Sequence, residues 1–456
     1  MEVSRADLID RIWERDPTVW TGGDEARRLG WLDEPLRMRE RVQELVRFAD
    51  DVADEGLEGV VLLGMGGSSL APEVLRRCFR SVSFRVLDTT HPAAIRELED
   101  EVDVRSTLFV VSSKSGTTLE TRCLGDFFWE RSGRDGRRFV AITDPGSELE
   151  ALAAERGFRA VFAGEPTIGG RYAALSPLGM VPAALMGIDL GRLLANAERM
   201  HDACRREDGN PGYVLGRALG VGWQEGRDKV AIVPNLNGFG LWVEQLLAES
   251  TGKDGKGLVP APGERVRDPD VQVAEVALAD PYALGGEFFR WEFAVAVAGA
   301  YLGVNPFDQP DVQAAKDRTA AVLAGEGEPE LEPEGSLDEL VAEARPGNYI
   351  AVLAFVQPTL ENDQRLRDLV AKLRRRSNVV VTLGYGPRCL HSTGQLHKGG
   401  PPTGLFLQVV DDPGEELRIP GRPFGFRRLL RAQAAGDYEA LKERGRRVAR
   451  VRLEDL

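Results

Sequence analysis

Two short stretches concentrate groups that suit an anion. Val60–Leu70, VVLLGMGGSSL, runs from an apolar, β-branched segment through Gly64, Gly66, Gly67, Ser68 and Ser69 before apolar residues resume. Phe109–Thr121, FVVSSKSGTTLET, repeats the pattern with Ser112, Ser113, Lys114, Ser115, Gly116, Thr117 and Thr118. Each predicts a buried parallel strand feeding a tight turn and a helix N-terminus. Such a turn aims several backbone N–H groups and the positive end of a helix dipole at one point, which suits a phosphate. The second loop is the stronger signal. It packs hydroxyls and an ammonium together with no acid before Glu120, an expensive arrangement unless something anionic satisfies the donors.

Each loop has a plainer reading: a tight strand–helix turn with no ligand, or a Ser/Thr-rich cap open to water. The first also nearly matches a dinucleotide fingerprint, with Asp88 spaced as a ribose-binding acid, but Ser69 stands where the third glycine belongs.

Four more segments carry candidate chemistry. Arg171 follows a glycine pair in IGGRYAALSPLG, which lets the backbone approach closely and aim a guanidinium into a crevice. Taken alone, it fits a surface position equally well. Glu249 extends the apolar stripe Phe239, Trp242, Leu246 in the last turn of a helix. Desolvation and the negative dipole end both favour the neutral carboxyl there, which suits a general base; a core glutamate paired with arginine is the alternative. Lys316 shares a helix face with Gln309, Val312 and Leu323, where a snorkelling lysine is the plain explanation. His391 and His397 fall in one Gly-rich loop with Lys398, although the whole chain has only 4 histidines, and the loop suits acid–base work. His91 and His201 read as structural or exposed. No histidine or carboxylate spacing makes a metal site, so no metal ligand is expected.

The elements that must position these groups follow from pattern. From Val60 onward strand and helix alternate, which predicts an α/β fold with doubly wound, mainly parallel sheets and ligand loops at the strand C-termini. Expected units are a helical arm over 1–56, a first α/β domain over 57–190 and a second over 191–330. A C-terminal segment over 331–456 completes the second domain and carries the histidine loop. Within it, the acidic, Pro-rich GEGEPELEPEGSLDEL reads as a linker or exposed loop, and the last residues as a basic helical tail.

At 456 residues the chain needs two or three domains, and its composition is that of a soluble globular protein. The net charge of −14 argues against nucleic acid or an anionic membrane as partner. Cys78, Cys123, Cys204 and Cys389 are widely spaced, which reads as reduced thiols. The charged N-terminus has no apolar core of a signal peptide, and Phe293–Val304 is too short to span a bilayer, so a cytoplasmic protein is expected.

Taken in order, GMGGSSLAPEVL, SKSGTTLET, GGRYAALSPLG, ESTGKDGKG and GVNPFDQPDVQAAK resemble the signature segments of the glucose-6-phosphate isomerase (phosphoglucose isomerase) family. The resemblance covers roughly residues 58 to 320 and is highly specific. It implies two sugar-isomerase α/β domains, no cofactor, a homodimer, and interconversion of glucose 6-phosphate and fructose 6-phosphate through a cis-enediolate. By this likeness Ser68, Ser113, Lys114, Ser115, Thr117 and Thr118 hold the phosphate. Glu249 is the base, Arg171 stabilises the enediolate, and Gly67, Gly170, Gln309 and Lys316 contact the sugar. One segment departs from the family order. The histidine segment, which the family places between the glutamate and the lysine helix, is missing there, and LHSTGQ stands instead at Leu390–Gln395. The surrounding GYGPRCLHSTGQLHKGGPPTGLFLQ resembles the isomerase half of bifunctional transaldolase–isomerase proteins, and makes His391 the expected ring-opening residue. A non-catalytic sugar-phosphate sensor, a dinucleotide oxidoreductase and an isomerase that also takes mannose 6-phosphate are the competing readings.

Overall fold

The first sheet is built from strands whose alternate residues are apolar on both sides. In a computed structural model that describes residues 5–264, 268–325 and 327–456, and only the backbone at 314 and 315, β1 (Gly59–Gly64), β2 (Phe84–Leu87), β3 (Thr107–Ser112), β4 (Phe139–Thr143) and β5 (Ala160–Ala163) form it. All neighbours are parallel, in the order β2-β1-β3-β4-β5. Val60, Leu62, Leu108, Val110, Val140 and Ile142 face one core, and Val61, Leu63, Phe109, Val111, Phe139 and Ala141 the other. A strand with two apolar faces belongs in the middle of such a sheet. The order of strands reverses between β1 and β3, and there the crevice for a ligand opens at the strand C-termini. Gly64 and Ser112, the last residues of those two strands, are register partners.

Beyond residue 226 the strands fall into two parallel sheets. β6 (Lys229–Val233), β7 (Val259–Pro262) and β8 (Val271–Glu275) give the order β7-β6-β8. β9 (Tyr349–Phe355), β10 (Val380–Tyr385), β11 (Gly404–Val410) and β12 (Arg447–Arg452) give β10-β9-β11-β12. Although β7 lies beside β10, the ladder stops between them. Val259 and Gly263 donate toward β6, so the intervening alternate positions face β10, and these are Pro260 and Pro262, which have no N–H to give.

Three sequence expectations change here. The Gly/Pro-rich stretch after Lys256 holds β7 and β8, which were not expected, and the prolines are what hid β7. The basic tail is helical only over Phe426–Glu443 and then becomes β12. The acidic segment is an exposed loop up to Gly335, as one of its two readings had it, but not a free linker: Glu328 pairs with Arg427 and Arg431, Glu332 with Arg452 and Glu334 with Lys442, while Leu331 is buried.

The N-terminal helices pack into the main core. Trp31, Met38 and Leu45 are buried in the same cluster as Tyr172, Trp242, Phe288 and Trp291. That cluster carries the apolar helix Leu284–Leu302. No helix among the described residues is long and apolar enough to cross a membrane.

Candidate active site

Both Ser/Gly loops leave helix N-termini open. The helices Leu70–Phe79 and Leu119–Arg131 begin at Ser69 and Thr118 without a side-chain cap. Ser147, Ser176, Asp189 and Asn210 cap their helices, whereas the helices that follow Gly238, Ala283 and Gly425 also lack a side-chain cap. First-turn N–H groups left uncapped are the usual seat of a bound anion. Two glycines let the walls meet. A Cβ on Gly67 would lie 2.2 Å from the Gly170 carbonyl oxygen, and one on Gly66 (φ +55°) 2.6 Å from that of His391. The first loop, the Arg171 turn and the histidine loop therefore touch through backbone alone.

Between these walls lies a cavity of about 330 Å³. Gly67 and Ser68 line it from the first loop, Lys114, Ser115 and Thr118 from the second, and Gly170 and Arg171 from the turn. Glu249, Gln309, Lys316 and His391 complete it. A second compartment of about 360 Å³ adjoins it, sharing Ser115, Thr118, Val312, Lys316, Leu390 and His391. Thr117 lines only that compartment. Ser113 is buried beneath the loop and donates to Thr118 Oγ1 at 2.9 Å. The Lys114 ammonium is paired with Asp144, which also lines the cavity.

Arg171 is 1 % exposed and held at every nitrogen. Nε donates to Ser250 Oγ at 2.8 Å, Nη1 to Gln309 Oε1 at 2.9 Å, and Nη2 to the carbonyls of Pro306 (2.7 Å) and Asp308 (2.8 Å). Its Nη1 lies 3.6 Å from Glu249 Oε2. A guanidinium so fully fixed presents one rigid charge to the cleft. Glu249 sits on the buried helix Phe239–Thr251, where the apolar stripe placed it. It has a charge partner in Arg171 and a donor in Gln245, whose Nε2 lies 3.0 Å from Glu249 Oε2. The same Nε2 donates to the His391 carbonyl at 2.9 Å. One amide thus ties the glutamate helix to the histidine loop.

His391 Nε2 lies 2.8 Å from Glu120 Oε1. Burial pushes the Glu120 carboxyl up, but the adjacent His391 imidazole, their hydrogen bond and the Lys316 ammonium outweigh it and hold it below the usual carboxylate range. Lys253, in the ESTGKDGKG segment, braces the turn beneath Arg171 by donating to the carbonyls of Asn305 (2.6 Å) and Asp308 (2.7 Å). Burial and the Arg171 charge push its ammonium down to about 8, against the opposing pull of Asp308.

The histidine loop divides. His397 packs against Tyr349 and Phe406, away from the cavity, and burial beside Lys398 and Arg446 pushes its imidazole well below the usual range. Lys398 is buried in an ion pair with Asp437 at 2.6 Å. Neither serves the acid–base chemistry expected of this loop, because the helix Gly394–Gly399 turns both inward. Asp88, the acid that suited a ribose, is engaged by Arg388 at 3.3 Å and lines neither compartment. His91 and His201 are both buried. The cysteines are free and buried, and burial pushes the Cys78 thiol up to about 11.

Sequence reasoning missed Gln245, Glu120 and Lys253. Gln245 lies four residues before Glu249 on one helix face, a spacing that could have found it. Glu120 and Lys253 have no local signal, since their partners come from distant parts of the chain.

Two Ser/Gly loops with open helix N-termini, a fixed guanidinium, a buried carboxylate and an imidazole thus meet at the switch point of a parallel sheet. The phosphoglucose isomerase family model matches residues 37–256. The glucose-6-phosphate isomerase of Rubrobacter xylanophilus is 28% identical over 387 residues, 64% of this chain and 88% of that protein. One from Thermus thermophilus is 38% identical over 188 residues, 40% of this chain and 44% of that protein. Among solved structures, a glucose-6-phosphate isomerase from Chlamydia trachomatis shares the fold, with a TM-score of 0.52, 19% identity and coverage of 80% of this chain and 81% of that one. By motif order, family model and relatives, the chain is related to the glucose-6-phosphate isomerases. The matched span ends at residue 256, so Gln309, Lys316 and His391 lie beyond it.

Proposed function

We propose that this protein is an aldose–ketose isomerase that interconverts glucose 6-phosphate and fructose 6-phosphate by proton transfer, as a glycolytic and gluconeogenic enzyme. One observation carries the reading: Glu249 and His391 face the same cleft and are bridged by the single amide of Gln245. In this account Ser68, Lys114, Ser115, Thr118 and the two open helix N-termini grip the phosphate, with Ser113 and Thr117 supporting the loop. His391, braced by Glu120 and assisted by Lys316, transfers the proton at the ring oxygen and opens the sugar. Glu249 removes the proton at C2, and the electron pair shifts so that O1 becomes the enediolate oxygen. Arg171 offsets that charge, a preorganised interaction worth a few kcal/mol. A proton then passes from O2 to O1, and as O2 becomes the carbonyl Glu249 returns its proton to C1, giving the ketose. Gly67, Gly170 and Gln309 shape the wall on which the sugar hydroxyls rest.

Likeness to the family adds a homodimer and a cytoplasmic setting to the proposal; sedimentation of the purified chain tests the first. A coupled assay that reports glucose 6-phosphate formed from added fructose 6-phosphate tests the activity. The wild type is expected to turn over and Glu249→Gln to stay silent. A silent wild type that still binds the ketose phosphate would favour the sensor reading instead.

A further inference from the structure

From His391 a line of buried polar side chains leads to the C-terminal helix, with Glu120 and Gln433 on the wall of the second compartment. Glu120 Oε1, which meets His391 Nε2 at 2.8 Å, also receives Gln433 Nε2 at 2.6 Å. Gln433 Oε1 in turn accepts from Thr90 Oγ1 at 2.7 Å. The four residues come from four places: the segment after β2, the helix Leu119–Arg131, the histidine loop and the C-terminal helix Phe426–Glu443. Thr90, Glu120 and Gln433 are 0 %, 6 % and 2 % exposed. Three polar groups buried together and all paired make a costly arrangement unless their geometry is used.

The chain of donors runs in one direction only. Turning the Gln433 amide over would set its oxygen against the Glu120 oxygen at 2.6 Å, two acceptors face to face. Thr90 donates to the amide oxygen, so the amide N–H₂ faces Glu120. Glu120, held ionised by its neighbours, can only accept. His391 Nε2 must therefore carry its proton toward Glu120, which leaves Nδ1 as the nitrogen that accepts or delivers a proton.

We propose that Gln433, oriented by Thr90, is a positioning residue for ring opening: it fixes the Glu120 carboxylate and through it the tautomer and orientation of His391. The same helix braces the loop a second time, since Asp437, one turn on, holds Lys398. This rests on the isomerase reading above. It assigns a task to the C-terminal helix Phe426–Glu443.

The test separates ring opening from proton transfer. Fructose 6-phosphate must open its furanose, whereas 5-deoxyfructose 6-phosphate lacks the O5 that closes the ring and presents only the open chain. Gln433→Met, close in shape but without polar atoms, is expected to lose roughly tenfold in kcat/KM on fructose 6-phosphate. On the deoxy ketose it is expected to stay within about threefold of wild type. Gln433→Glu, which sets a second carboxylate against Glu120, should lose more on the first substrate and keep the same split, and Thr90→Val should show the split in weaker form. Because Gln433→Met removes buried bonds, Tm is recorded beside the kinetics. Equal losses on both ketoses, or wild-type rates on both, overturn the assignment. A wild type inactive on both overturns the isomerase reading and this inference together.

Discussion

Replacing Arg171 by lysine keeps a charge but loses the fork that reaches Ser250, Gln309 and two carbonyls at once. The expected cost is about 10²–10³ in kcat, the range for losing one oriented donor at a developing oxyanion, with a smaller change in KM. Steady-state kinetics checks it. His391→Asn is expected to fall about 10²–10⁴-fold on fructose 6-phosphate and much less on 5-deoxyfructose 6-phosphate. Equal losses on the two substrates would remove His391 from ring opening. At this scale the sequence was legible where a residue broke a pattern. Glu249 stood out as a carboxylate on an apolar stripe, and the second loop as donors without acids. It was opaque where the meaning lies in a partner: Arg171 looked ambiguous because its acceptors come from 250 and 306–309, and His397 looked catalytic because a loop's composition does not tell which side chains turn inward.

At the scale of elements the site depends on close backbone approaches. A methyl on Gly67 would overlap the Gly170 carbonyl at 2.2 Å, so Gly67→Ala must push the phosphate loop away from the Arg171 turn. The expected result is a folded protein whose KM for the sugar phosphate rises roughly tenfold or more, with circular dichroism unchanged. A variant with wild-type KM would show that this approach does not position the site. The βα alternation and both loops were readable because a buried parallel strand and its turn are local patterns. The three strands that escaped were masked by local chemistry. Prolines disguised β7 (Val259–Pro262), a short mixed segment hid β8 (Val271–Glu275), and arginines concealed the alternation of Val448, Ala449 and Val451 in β12 (Arg447–Arg452). The acidic segment looked free because the basic helix it docks on lies about a hundred residues away.

Over the whole molecule, several carboxyls are buried without full compensation, and they make stability depend on pH. Burial pushes the Glu244 carboxyl up to about 7, with only the Arg388 charge opposing it. A raised carboxyl binds more protons folded than unfolded. Its contribution is therefore neutral below the unfolded value near 4.5 and becomes unfavourable as pH climbs from there to about 7. Glu244→Gln removes that liability. The variant should match wild type near the bottom of this window and become more stable by on the order of 1–3 kcal/mol at its top, read as a growing Tm difference. A pH-independent difference would mean that Glu244 is not titrating there. The division of labour is also a property of the whole chain. The family-matched span supplies the two Ser/Gly loops, Arg171 and Glu249, while His391 and Gln433, both bonded to Glu120, arrive from the C-terminal part. Order along the chain is not what the site needs; the sheet's switch point and a few shared amides bring the pieces together.

The central claim, that Glu249 carries the proton in the cleft that also holds His391, is tested most directly by hydrogen exchange. Fructose 6-phosphate is incubated in D₂O with wild type and with Glu249→Gln, and proton NMR follows deuterium entering C1 of the ketose and C2 of the aldose. Wild type should incorporate deuterium during turnover, whereas Glu249→Gln should incorporate none while calorimetry shows the ketose still bound. Exchange at a near-wild-type rate in the variant would contradict the account.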